Sequence, residues 1–103
     1  MSYTPKNILL TGGCGFIGSN VTNYLVKNYL YNVVVLDKLD SCATTNNISE
    51  LQNFPNFKFI QGDLLDTNLV TEILVGYSID TIMHFAAQTQ MNYQRVFVQQ
   101  NAL

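Results

Sequence analysis

The sequence predicts an α/β fold: a doubly wound parallel sheet, strand order 3-2-1-4, with helices on both faces. Two observations predict it. Four short apolar runs, NILLT (7–11), NVVVLD (32–37), FKFIQGD (57–63) and DTIMHFAA (80–87), are more continuous than alternating, as strands covered on both faces must be. Segments with helical spacing separate them, and strand–helix–strand alternation gives a parallel sheet. Right-handed crossovers then put the first run in the middle, the second and third to one side, and the fourth across the switch point.

The bulk properties agree with a small folded domain. The chain has 103 residues, 48% hydrophobic and 12% charged, and is read as one unit over 1–103 that buries a core. A net charge of −2 without a basic stripe gives no footprint for nucleic acid. No basic stretch leads into a long apolar run, so neither a signal peptide nor a membrane span is expected, and a cytoplasmic setting follows. Cys14 and Cys42 lie in unlike contexts and read as free thiols of a reducing compartment. One histidine and no CxxC leave no metal-ligand spacing.

Each element has its own signal. The first strand, 7–11, runs into Gly12, Gly13, Gly15 and Gly18, four of the six glycines in the chain. The segment 15–30 then has helical spacing, with Phe16, Ile17, Val21, Leu25 and Val26 on one side and Asn20, Asn23 and Lys27 on the other. After the second strand, 38–56 is polar, with a short helix expected in NISELQN (47–53) and a break at Pro55. The third strand leads to a helix whose inner face is Leu69, Val70, Ile73 and Leu74, with Asp66 as N-cap and Gly76 as terminator. Beyond the fourth strand, the tail MNYQRVFVQQNAL (91–103) reads as the start of another helix. That leaves the fourth strand at the sheet edge, open to pairing with another copy or a partner chain.

The glycines carry the chemistry. Gly12-x-x-Gly15-x-x-Gly18 lies directly after a strand and directly before a helix. The first glycine permits a tight turn at positive φ, the second lets a phosphate approach the main chain, and the third lets helix and strand pack closely. The helix N-terminus offers N–H groups and partial positive charge to a pyrophosphate. Asp37 ends the second strand, nineteen residues after Gly18. A carboxylate there accepts both ribose hydroxyls of an adenosine and repels a 2′-phosphate, which favours NAD over NADP, while Lys38 beside it pulls the other way. Asp63, closing the third strand, is placed to reach the adenine. The small Ala86 and Ala87 in FAAQT (85–89) leave room for a cofactor against the backbone. His84, alone in an apolar run, reads as structural.

Together KNILLTGGCGFIGSN, VVVLDKLDSCATTNNI, NFKFIQGDLLD and IDTIMHFAAQT resemble the N-terminal part of the nucleoside-diphosphate-sugar 4,6-dehydratases. These are members of the extended short-chain dehydrogenase/reductase superfamily with a Rossmann-type fold. The similarity, to the dTDP-glucose and UDP-glucose enzymes including the rhamnose-synthase type, covers residues 6 to about 89. It implies tightly bound NAD, hydride abstraction from C4 of the glucose, loss of water across C5 and C6, and return of the hydride at C6. By motif match it implies that Gly12, Gly15, Phe16, Ile17 and Gly18 line the pyrophosphate. Asp37, Lys38, Leu39 and Asp40 would surround the ribose, and Asp63 and Leu64 would meet the adenine. Phe85, Ala86, Ala87, Gln88 and Thr89 would border the nicotinamide half, with Thr89 also near the sugar-nucleotide substrate.

The chain also departs from that family. Where members continue after AAQT with His-Val-Asp and a serine, this sequence has Gln90, Met91 and Asn92. FVQQN (97–101) corresponds to the FTKNN of members only with about four residues missing before it, and Val98 then replaces a threonine. The family's Tyr-x-x-x-Lys pair has no counterpart, since no tyrosine is followed by a lysine four positions later. No residue is therefore assigned a catalytic role. The expectation is the NAD-binding front of a 4,6-dehydratase, a truncated Rossmann-type sheet inactive as this chain alone. The alternative is a non-catalytic nucleotide-binding or interaction module.

Overall fold

The computed structural model describes residues 7–29, 31–39, 45–88 and 93–100. Asp40, Cys42 and Thr89 lie outside the described residues, as do Gln90, Met91 and Asn92. Ala86, Ala87 and Gln88 are placed by their backbone, at the end of the fourth strand.

All four expected strands form: β1 (Asn7–Thr11), β2 (Asn32–Asp37), β3 (Phe57–Gln61) and β4 (Thr81–Gln88). They pair in parallel in the order β3-β2-β1-β4. In the register, Leu9 lies between Val34 and Ile82, and Val35 lies beside Phe59. Alternate residues feed two cores. Ile8, Leu10, Val33 and Val35 pack with Cys14, Leu25, Val26, Ile48, Leu51 and Phe85 on one face. Leu9, Val34 and Leu36 pack with Ile73 and Ile79 on the other. A strand buried on both faces has no polar side to show, which is why the runs are continuous. Burying each such side chain contributes about 1.5–3 kcal/mol.

The helix after β1, α1 (Phe16–Tyr24), continues as a π-helical turn, Leu25–Tyr29. Its buried stripe is Gly18, Ser19, Thr22, Leu25 and Val26. Phe16 and Ile17, expected on that face, are 80% and 40% exposed. Gly18 is the reason: it must face the preceding turn, and this rotates the two residues before it outward. Thr22, buried in their stead, satisfies its hydroxyl by donating to the Gly18 carbonyl at 2.8 Å.

A 3₁₀ helix, Thr45–Asn53, fills the polar middle segment. Helix α2 (Thr67–Gly76) is capped as expected, with Asp66 Oδ1 accepting the Leu69 N–H at 3.2 Å. It also ends at Gly76, but the left-handed residue that turns the chain is Ser78, at φ 52°.

The tail differs from its expected helix. Residues Tyr93–Gln100 form β5, antiparallel to β4 and in register from Gln88↔Tyr93 to Thr81↔Gln100. Tyr93, Val96, Phe97 and Val98 favour a strand, and an antiparallel neighbour needs only a short connection. The sheet is therefore five-stranded, β3-β2-β1-β4-β5. The expected open edge on β4, and an oligomer or partner chain pairing through it, are corrected: β5 occupies that edge.

Candidate functional site

The carboxyl ends of β1, β2 and β3 carry the loops that hold the glycines, Asp37 and Asp63. Gly12 has φ +74°, as a tight turn requires. Its N–H donates to the Leu36 carbonyl at 3.0 Å, and a Cβ at this position would lie 2.0 Å from the Phe85 carbonyl oxygen. The turn therefore rests on the main chain of β4. A Cβ on Gly18 would lie 2.3 Å from the Gly12 carbonyl oxygen, so α1 begins in direct backbone contact with the turn. Gly15 is the N-cap of α1 and brings no side-chain acceptor, and the first turn contains no acidic residue. The positive end of the helix is thus not neutralised by its own side chains, which is the state that receives an anion.

Asp37 is buried at the end of β2. Its Oδ2 accepts the Cys14 N–H at 2.9 Å and its Oδ1 accepts the Leu39 N–H at 2.8 Å, with Leu39 itself left-handed at φ 65°. The Cys14 thiol also hydrogen-bonds this carboxylate. Burial, with the negative charge and the hydrogen bond of Asp37 adding to it, pushes that thiol up to about 12. A carboxylate has about four acceptor positions, so it can hold the turn and still receive hydroxyls.

The loop after β3 is joined to β2 by the Gly62 N–H, which donates to the Asp37 carbonyl at 3.1 Å. Asp63 Oδ1 accepts the Leu65 N–H at 2.9 Å. Its Oδ2 lies 3.7 Å from Lys38 Nζ, both side chains being about half exposed. Leu64 beside it is 41% exposed.

The structure thus brings Gly12, Gly15, Gly18, Asp37, Lys38 and Asp63 to one edge of the sheet. Phe16 and Ile17 are exposed at the start of α1 on the same edge. Phe85 is placed differently from a lining side chain: its ring is buried in the core, and its carbonyl is what meets the turn. His84 is half-buried, level with Thr11 in the β1–β4 register, and its Nδ1 is hydrogen-bonded with the Thr11 hydroxyl. Sequence pattern alone reads Cys14 as a free thiol and gives Gly13 no part. Gly13 is closely packed: a Cβ would lie 2.8 Å from both Leu10 and Val35 side chains, which would have to shift. Cys14 matters through its amide, for which only the parallel β1–β2 pairing is a signal.

Away from this edge, a cavity of about 240 Å³ opens at the amino ends of the strands among Asn7, Asn32, Asn56 and Tyr77. Among the described residues no three His, Cys, Asp or Glu side chains gather as for a metal. No helix among them is long and apolar enough to cross a membrane.

Comparison with known proteins adds to this geometry. The family model for GDP-mannose 4,6 dehydratase matches residues 9–96. The trifunctional UDP-glucose 4,6-dehydratase/UDP-4-keto-6-deoxy-D-glucose 3,5-epimerase/UDP-4-keto-L-rhamnose-reductase of Arabidopsis thaliana is 53% identical over 92 residues, 88% of this chain and 14% of the relative. The dTDP-D-glucose 4,6-dehydratase of Mus musculus is 47% identical over 88 residues, 84% of this chain and 25% of the relative. The chain therefore spans a quarter or less of the length of these two relatives. Among solved structures, dTDP-glucose 4,6-dehydratase from Bacillus anthracis in complex with NAD superimposes with a TM-score of 0.78 at 33% identity, over 84% of this chain and 28% of that one.

Proposed function

This chain belongs to the GDP-mannose 4,6 dehydratase family, and from that premise we propose that it is the NAD-binding N-terminal portion of a nucleoside-diphosphate-sugar 4,6-dehydratase. The observation that carries the proposal is the pairing of a helix N-terminus, whose N-cap Gly15 brings no side chain and whose first turn has no acidic residue, with a buried Asp37 held by two main-chain amides. These are the two fixed points an adenine dinucleotide needs: a place for its pyrophosphate and an acceptor for its ribose. The fit is supported by the bare backbone where a Cβ would strike Phe85 or Gly12. A relative with this fold is described in complex with NAD.

In this reading residues 1–103 form one dinucleotide-binding unit. Gly12, Gly15, Phe16, Ile17 and Gly18 line the pyrophosphate, and Asp37, Lys38, Leu39 and Asp40 surround the ribose. Asp63 and Leu64 meet the adenine, and the end of β4 with Phe85, Ala86, Ala87, Gln88 and Thr89 borders the nicotinamide. NAD, when bound, supplies the hydride acceptor for oxidation at the sugar. Asp37 orients the adenosine, the start of α1 neutralises pyrophosphate charge, and the exposed Phe16 and Ile17 shield that end from water. The substrate of the whole enzyme is a dTDP- or UDP-glucose, with Thr89 near it, in a cytoplasmic setting.

Hydride abstraction needs a base on the sugar hydroxyl, and elimination needs an acid/base pair. This chain has no Tyr-x-x-x-Lys, so the reading expects it to bind NAD and turn nothing over. The test is to incubate the purified chain with NAD+ and dTDP-glucose or UDP-glucose and assay the 4-keto-6-deoxy product. Product formation would overturn the assignment of chemistry to residues absent from this chain.

A further inference from the structure

We propose that Asp63 is a specificity-determining residue, which acts by holding the Lys38 ammonium away from the position a ribose 2′-phosphate would take. The inference rests on the dinucleotide reading above and extends it to the choice between NAD and NADP.

The buried Asp37 and the solvent-facing Lys38 are consecutive, so the ribose acceptor and a cation share one strand end. An anion-repelling carboxylate and a phosphate-attracting ammonium at the same place give opposite instructions about the 2′ position. The structure gives them different partners. Asp37 is turned inward onto the Cys14 and Leu39 amides, while the Lys38 ammonium reaches across to Asp63, 3.7 Å from its Oδ2.

Asp63 is the fixed member of the pair. Its Oδ1 accepts the Leu65 N–H at 2.9 Å and its carbonyl accepts the Asp66 N–H at 2.9 Å. Gly62 ties the same loop to β2 at 3.1 Å. Lysine is a point charge on a flexible stem, and this anchored carboxylate is one of the groups that hold its ammonium. With side chains 48% and 45% exposed, the pair contributes little to folding. Its consequence is where it leaves the charge.

The test is a double-mutant cycle read as the ratio Kd(NADP+)/Kd(NAD+), measured by calorimetric titration of the full chain. Asp63→Asn is expected to lower that ratio about two- to fivefold, the coupling of one partly exposed charge pair. Lys38→Met alone is expected to leave it nearly unchanged, and Asp63→Asn on the Lys38→Met background to give no further fall. An unchanged ratio in Asp63→Asn overturns the proposal. So does an equal fall on the Lys38→Met background, which would show a general field effect instead of control through Lys38. Should Asp63→Asn not fold, Lys38→Met decides: a marked rise in the ratio would mean that Lys38 already serves the 2′ position. A wild-type chain that binds neither dinucleotide overturns the underlying reading and this inference with it. NAD+ binding with an unresponsive ratio overturns this inference alone.

Discussion

The Cys14 amide donates to Asp37 Oδ2 at 2.9 Å, so the carboxylate that ends β2 also holds the glycine turn that follows β1. The contact joins residues 23 apart in sequence across two neighbouring strands. It fixes Asp37 and the glycine turn relative to each other, and in the proposed function such preorganisation lowers the cost of binding a dinucleotide.

Asp37→Ala is accordingly expected to weaken the ligand-free fold as well as NAD binding. It strips the acceptor from the Cys14 and Leu39 amides, and a buried amide left unpaired costs about 1–3 kcal/mol. Asp37→Asn keeps one acceptor oxygen and should lose less stability. Denaturant unfolding without ligand checks this. Equal stability of wild type and Asp37→Ala would show that the anchor contributes nothing.

Two glycine replacements should move stability in opposite directions. Gly18→Ala puts a methyl 2.3 Å from the Gly12 carbonyl oxygen, an overpacking that costs about 1–3 kcal/mol. Gly76 closes α2 with nothing within 4 Å of an added Cβ and without a positive φ. Gly76→Ala should therefore gain about 0.4–1 kcal/mol by restricting the unfolded chain. Thermal melts of the pair test the contrast.

The Cys14 thiol is expected to be inert near neutrality. Its pKa is pushed up to about 12 by burial and by Asp37, so almost no thiolate is present. Because the folded value lies above the unfolded one, its contribution to stability is complete below the ordinary thiol range and is lost as pH climbs toward 12. On a Cys42→Ser background, iodoacetamide at pH 8.5 should label Cys14 slowly in the native chain and rapidly in denaturant. Equal rates in both would contradict the buried geometry.

Removing β5 should expose what it covers. A chain ending at residue 92 leaves the outer edge of β4 unpaired along the register from Thr81 to Gln88, and an open apolar edge recruits other chains. Sedimentation velocity is expected to show a monomer for the 103-residue chain and self-association for the shortened one. An equally monomeric short form would mean that β5 does not protect the edge.

The four parallel strands, their order, the Asp66 cap and the positive φ at Gly12 were all legible in the sequence, because burial on both faces and a strand-to-helix glycine turn impose a local pattern. The outward rotation of Phe16 and Ile17 was not. Apolar spacing alone places them on the inner face, and only the close approach of Gly18 to Gly12 turns them out. Nor was β5 legible. YQRVFVQQ has the residues of a strand, but which neighbour it pairs with is settled by the free edge of β4. The Asp37–Cys14 and Lys38–Asp63 contacts depend on strand register, which no short window of sequence contains.

The most direct test of the account is equilibrium titration of the purified chain with NAD+ and, separately, NADP+. The turn, the α1 N-terminus without an acidic first turn and the inward Asp37 predict saturable binding of NAD+ that is tighter than that of NADP+. Tighter binding of NADP+, or no binding of either, would contradict it.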